Sequence, residues 1–285
     1  MHCIQSDMRD DGRQRRQWRP LSAAVFNVAS HCLSSVRLYT ADGSMTVVAG
    51  VSWDVVEDSD GGVTFAVSSR APAATPESDR VRLLLAQSYR ELSIARQMTS
   101  LLRIAGTECS FRLHVDVIIV SGAGDACWVV SAAVKLALQT VTLPLARVST
   151  TREGRTVVDV DRGPGADCVG GGGGHERVSL SCLDAPLLMS CAVAVADDGC
   201  HDGRFYLVDP SAYEVQRYAS GTVVAGVNTG GELLCLSATL SPSASSPVLL
   251  PADVTVLGTE LCMSAVMGHK DVAKLLLATG TTAEV

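Results

Sequence analysis

Aromatic side chains are scarce in this chain. Phe, Trp and Tyr make up 4% of 285 residues, although 47% are hydrophobic. The apolar content is therefore mostly Val, Ala and Leu, enough for a sizeable core built from small and branched side chains. Excess positive charge is also missing. The net charge is −7, which excludes a nucleic-acid coat protein whose affinity rests on many phosphate contacts. There are ten cysteines, but no CxxC pair and no Cys/His cluster at zinc spacing, so the sequence supports no metal site. Cys127, Cys191, Cys235 and Cys262 fall in apolar runs, where a free thiol behaves as a small hydrophobe. No G-x-S-x-G occurs, and the six histidines show no triad pattern. No apolar run approaches the roughly 20 residues that span a bilayer, so no membrane association is expected. The start of the chain is charged rather than apolar, so a reducing, intracellular compartment is expected.

The length suits one large domain or two closely packed halves. Residues 1–20 are polar and carry Arg9, Arg13, Arg15, Arg16 and Arg19, which predicts a basic N-terminal arm ending at Pro20. Strand-like runs follow at 23–29, 35–40, 45–51 and 63–68. Ala41-Asp42-Gly43-Ser44 reads as a hairpin turn between two of them. Residues 70–79, with Pro72 and Pro76, read as loop. Val81, Leu84, Leu85, Tyr89, Leu92 and Ile94 recur near the helical period and predict one helix over 79–102. Its other face holds most of Arg80, Arg82, Arg90 and Arg96.

Residues 111–138 are the most telling stretch. FRLHVDVIIV is a buried strand, SGAGDAC a tight loop and WVVSAAVKLAL an apolar helix. Backbone N–H groups and the dipole at a helix N-terminus suit an anion. Yet this loop offers Ser121, Asp125 and Cys127, with no Lys or Arg. It has the shape of an anion site but carries an acid. Residues 150–180 read as an irregular loop that includes five glycines, 170–174. The second half repeats strands and then a helix. Strands are predicted at 186–196 and 204–209, and a hairpin at 221–227 and 232–239 around Asn228-Thr229-Gly230-Gly231. A Ser/Pro-rich loop at 241–251 precedes a final helix from about 253 or 259 to 278. Strands then helix, twice over, predicts an α+β duplicated fold rather than an alternating one. Its halves would cover about 21–150 and 180–280 of a 21–285 domain.

Two other readings of local motifs are open. Gly122–Cys127 could be a dinucleotide fingerprint. However, Cys127 stands at the third glycine, and Pro144 and Arg147 stand where an acid should follow. Residues 258–280 resemble the helix pair of one ankyrin repeat, with Gly268-His269 at the turn. No second copy exists, and about three are needed to bury such a face. An amphipathic terminal helix fits better, with His269 a surface or packing residue.

The order of these pieces resembles the RNase PH-like subunits that form the six-membered ring of the RNA exosome. Arg9-Asp10-Asp11-Gly12-Arg13 is similar to that family's opening motif. Residues 100–104, 110–120, Gly122-Ala123-Gly124 and 132–138 are similar to its central strand, loop and helix, and Thr142-Leu143-Pro144 to the segment after it. Leu207-Val208-Asp209-Pro210 resembles the strand end that leads to the catalytic acids. The resemblance implies an RNase PH-like (ribosomal protein S5 domain 2-like) duplicated βα sandwich.

The departures from the family pattern shape the expected function. Active members carry a Gly-Gly-Thr-Arg-Thr loop, which falls here on Ala123, Gly124, Asp125, Ala126 and Cys127. The phosphate-binding Arg is replaced by Ala126. Asp125 would repel phosphate by about 1–4 kcal/mol near 4 Å, depending on the local dielectric. Counting from Asp209, the family's acid pair falls on Tyr213 and Ala219, neither of which serves as an acid or a metal ligand. Glu214, one residue away, restores at most a lone carboxylate. The resemblance therefore implies a non-catalytic ring subunit with no cofactor, acting in RNA processing and degradation, including rRNA maturation. Its implied partners are other RNase PH-like subunits, S1/KH cap subunits, an associated 3′–5′ exonuclease and RNA in the pore. Nuclear, nucleolar and cytoplasmic locations are expected. Arg90, Arg96 and Arg13 are the expected RNA contacts, and an active phosphorolytic exoribonuclease is the alternative.

Overall fold

The computed structural model describes residues 9, 11–57, 61–70, 75–122, 124–151, 156–161, 178–195, 204–240 and 251–278. Alternating patterns build the first sheet. In β2 (Ser34–Thr40) and β3 (Met45–Val56), Val36, Leu38, Met45, Val47, Ala49 and Val51 point inward and are buried. The turn between them forms as expected, with Gly43 at φ 68 and the Asp42 carboxylate accepting from Ser44 N at 3.0 Å. β1 (Leu21–Phe26) pairs antiparallel with β2, and β5 (Ser110–Gly122) pairs antiparallel with β3. β4 (Val63–Ser69) lies parallel to β5 at the sheet edge, giving the order β1-β2-β3-β5-β4.

The predicted helix over 79–102 is two helices, α1 (Thr75–Arg90) and α2 (Leu92–Leu102). The apolar register explains the break. Val81, Leu84, Leu85, Ser88 and Tyr89 form one buried stripe, whereas Ile94, Met98 and Leu102 form another. The two stripes are out of phase, and Leu92, expected on the buried face, is 58% exposed. α1 also begins earlier than expected, because Pro76 belongs to its first turn, where a missing N–H costs nothing.

α3 (Cys127–Gln139) is buried on every side from Cys127 to Leu138, as expected of a helix apolar all round. It packs on β2, β3 and β5 of the first sheet and on β8 (Leu187–Val195) of a second. That sheet has the order β11-β10-β8-β9, adding β9 (Arg204–Val208), β10 (Ala219–Val227) and β11 (Leu233–Leu240). α5 (Pro251–Ala278) lies on β8 and β10 and touches β1. α1, α3 and α5 thus separate two sheets around one shared core.

Two elements depart from the expectations. The predicted irregular region contains a hairpin, β6 (Leu145–Thr150) with β7 (Thr156–Asp161). The glycine run 170–174 and the Ser/Pro-rich stretch 241–250 lie outside the described residues. A short helix, α4 (Ala212–Tyr218), follows β9. The ankyrin reading is overturned, because Gly268 and His269 lie within α5 and are buried. A Cβ on Gly268 would come within 2.7 Å of Met189 Cε and 2.9 Å of the Trp128 ring. The His269 Nε2 lies 3.1 Å from Val227 O. Burial, reinforced by Lys135, pulls the His269 pKa down to about 4.

Candidate functional site

The loop entering α3 meets the segment entering α4. Gly124 has φ 117, and a Cβ there would lie 3.0 Å from Ala212 N and 3.1 Å from Pro210 O. Only glycine allows this approach. Asp125 N donates to Pro210 O at 3.3 Å. The fold therefore brings together the loop before α3 and the segment after β9, the two spans that the sequence comparison singled out. Ala123 lies outside the described residues.

The place for an anion is taken by the chain's own carboxylate. Asp125 is 5% exposed, and its Oδ1 accepts from Cys127 N, the first helical residue of α3, at 2.8 Å. Arg80 Nη1 lies 3.8 Å from Asp125 Oδ2 and 3.6 Å from Glu77 Oε2. Arg80 Nη2 also donates to Thr222 Oγ1 at 3.1 Å. Glu77 is pushed up to about 7, chiefly by burial and then by the Asp125 charge, with Arg80 opposing. Burial, Asp125 and Glu77 together raise the Cys127 thiol well above its ordinary range, which keeps it protonated and unreactive. The donor atoms of Glu77, Asp125 and Cys127 lie within 4.8 Å of one another. Arg80 already supplies positive charge between the two carboxylates, so this donor set does not need a metal ion.

The N-terminal segment closes the other side. It was expected to be an arm, but Arg9, Arg13 and Arg19 are buried against Asp209 and Glu214 of the second half, while Arg16 stays exposed. Asp209 is 0% exposed and has φ 49, a left-handed conformation that Asp tolerates better than most residues. Its Oδ2 accepts from Arg19 N at 2.7 Å, Arg19 Nε at 2.9 Å and Arg13 Nη1 at 3.3 Å. Arg19 Nη2 donates to Asp209 Oδ1 and to Asp125 O, both at 2.5 Å, so one guanidinium ties both spans together. Glu214 grips Arg9 with both carboxylate oxygens, Oε1 at 2.7 Å from Nε and Oε2 against Nη2. Glu214 also completes a capping box with Ser211 at the start of α4. The two acids nearest the expected catalytic positions are therefore structural anchors. Tyr213 is 51% exposed and accepts from Arg217 Nη1 at 2.7 Å, and Ala219 opens β10.

Of the three arginines expected to meet RNA, Arg13 is turned inward. It is held at 2.7 Å by Asp11 as well as by Asp209, and this pairing removes it from any open surface. Arg90 and Arg96 are exposed and line one open groove of about 1110 Å³ between α1, α2 and β4. Arg82 and Arg103 line it too. The groove runs beside the break between α1 and α2 at Glu91.

No protein-family model matches the chain, and no curated protein matches it in sequence. Solved structures do match. An archaeal exosome core subunit superposes with TM-score 0.62 at 17% identity, covering 94% of this chain and 92% of that one. A chain of the Archaeoglobus fulgidus exosome with RNA bound to the active site gives 0.62 at 18% identity, with 94% of each chain covered. Rice (Oryza sativa) Rrp46 gives 0.59 at 12% identity, covering 94% of this chain and all of that one. The chain has the RNase PH-like fold of exosome core subunits.

Proposed function

We propose that this protein is a non-catalytic subunit of an exosome-type ring. In this reading it scaffolds the ring and guides RNA for 3′–5′ processing and degradation, rRNA maturation included, in the nucleus, nucleolus and cytoplasm. Its partners would be other RNase PH-like subunits, S1/KH caps and an associated exonuclease. The fold likeness supports ring membership. One observation supports loss of catalysis: where an attacking phosphate would need free N–H groups and a cation, Asp125 holds the α3 terminus and Arg80 is engaged by carboxylates. A phosphate entering there meets Asp125 and Glu77 at close range. Asp209 and Glu214 are likewise committed to Arg9, Arg13 and Arg19.

The test is a phosphorolysis assay of the full chain, alone and with its ring partners, on a 3′-tailed RNA with inorganic phosphate. No release of nucleoside diphosphates above the partners' own background is expected. Release by the chain alone would overturn the non-catalytic reading. Ring membership is checked by affinity purification from the native cell with mass spectrometry. Recovery without any other ring subunit would count against it.

A further inference from the structure

β4 is an open edge of the first sheet. The strand order is β1-β2-β3-β5-β4, so among the described strands β4 pairs with β5 alone. Leu113 N donates to Gly62 O at 2.9 Å, and Arg70 N donates to Ile119 O at 3.1 Å. Even-numbered residues therefore bond to β5, and the N–H and C=O groups of Val63, Phe65 and Val67 point away from it. Those groups have no hydrogen-bond partner among the described residues. Natural edge strands commonly carry a charge, a proline or a bulge that blocks pairing with another chain. β1, at the opposite edge, has a register shift between Leu21 and Ala23. β4 reads VTFAVSS and has none of the three devices.

This edge faces the groove between α1, α2 and β4. Residues 61–65 line the groove without a gap. Side chains alternate between the two faces of a sheet, so an unbroken run of lining residues presents the backbone of the strand rather than one face. Arg82, Arg90, Arg96 and Arg103 line the groove as well, and no Asp or Glu does among the described residues. Arg90, Arg96 and Arg103 are exposed and have no carboxylate partner among the described residues. Leu92, 58% exposed, adds an apolar contact. Guanidinium forks suit carboxylates. Alternating N–H and C=O groups at strand spacing match a second strand. Phosphates offer acceptors only, and a nucleic-acid backbone would leave the C=O groups of Val63 and Phe65 unpaired.

We infer that β4 takes up an extended, acidic segment of a partner protein as an added strand, with the segment's carboxylates held by Arg90, Arg96 and Arg103. Main-chain hydrogen bonds to the open edge supply affinity, and side chains at alternate positions supply selectivity. The selected feature is negative charge, because the groove is lined by charge of one sign in a chain of net charge −7. The site uses neither the degenerate loop nor RNA, so it is independent of the ring reading above. It makes this edge a recruiting surface for an acidic protein tail.

The experiment is fluorescence anisotropy of a labelled peptide of Glu-Thr repeats with the purified full chain. Arg90→Gln/Arg96→Gln/Arg103→Gln should weaken binding about tenfold, the combined effect of three exposed ion pairs. Thermal melts should show this variant folded, because all three side chains are exposed. Arg37→Gln, exposed on β2, should change nothing. N-methylation of alternate peptide residues removes the N–H groups along one edge of the added strand and leaves its charge intact. Methylating one set, all Glu or all Thr, should abolish binding, and methylating the other should keep it within about twofold. Hydrogen exchange read by mass spectrometry should slow over residues 63–67 when the peptide is bound. No binding of the Glu-Thr peptide, equal tolerance of the two methylated sets, or unchanged exchange over β4 would overturn the inference. Oligo(U) binding more tightly than the peptide, with the same arginine dependence, would also overturn it and give the groove to RNA. Ring recovery and phosphorolysis are read separately, so failure here leaves the ring reading standing, and the reverse also holds.

Discussion

Arg19 and Arg90 carry the same side chain in opposite settings. Arg19 is 2% exposed and bridges Asp209 to the Asp125 carbonyl. Arg90 is exposed at the end of α1 and faces a groove lined by other arginines. A buried guanidinium requires acceptors all round, because its desolvation cost must be met within the protein. An exposed one keeps its water and remains free for a ligand. The degenerate loop and the groove differ in the same way. One has charges that satisfy each other, and the other has charge of one sign left open.

Substituting arginine in both places should break this comparison most sharply. Arg19→Gln leaves Asp209 short of its main partner, and a loss of about 3–5 kcal/mol is expected by urea denaturation. Arg90→Gln should stay within about 0.5 kcal/mol of wild type. Equal effects would show that the two settings are not distinct. A double-mutant cycle on Arg9→Gln and Glu214→Gln should give a coupling of about 2 kcal/mol, accompanied by faster tryptic cleavage near Arg15 and Arg16 as the N-terminal segment loosens. Additive effects would separate Arg9 from Glu214 as independent contributors.

A smaller effect is expected from pH. Glu77 has a folded pKa of about 7, above its ordinary 4.5. The folded state then holds the extra proton between those values, so its contribution to stability is present below about pH 4.5 and is lost as pH rises through 7. Glu77→Gln should therefore melt higher than wild type at pH 8 and close to it at pH 4.5. A difference of the opposite sign would mean that Arg80 outweighs burial. His269 works in the other direction. With its folded pKa near 4, below the ordinary 6.5, the unfolded state binds the extra proton between those values. Stability then falls as pH drops from 6.5 through 4, and His269→Gln should flatten that part of the profile of Tm against pH.

Much of the frame was legible in the residues. The strand at 110–122 and the all-apolar helix at 127–138 follow from continuous hydrophobicity around a glycine loop. Asp125 was visible as an acid in an anion-shaped place, although its role in holding the α3 terminus was not. Other signals were present and missed. Ser211-Ala212-Tyr213-Glu214 has the S-x-x-E spacing of a capping box and marks α4. The shift from a stripe ending at Tyr89 to one starting at Ile94 marks the break at Glu91. Alternation in Thr156–Asp161 marks β7.

The sequence by itself determined where strands and helices form, which faces they bury and that the loop before α3 lacks a phosphate-binding cation. These properties depend on near neighbours, through periodicity, turn chemistry and residue type. Only the tertiary structure decided what each arginine does. Arg9 meets Glu214 across 205 positions of chain and Arg19 meets Asp209 across 190, and no local pattern encodes such pairings. Arg90, Arg96 and Arg103 stay exposed beside the break between α1 and α2, on one groove that no described Asp or Glu lines. Burial and long-range pairing, set by packing two sheets around α3, divide identical side chains into structural anchors and free binding groups.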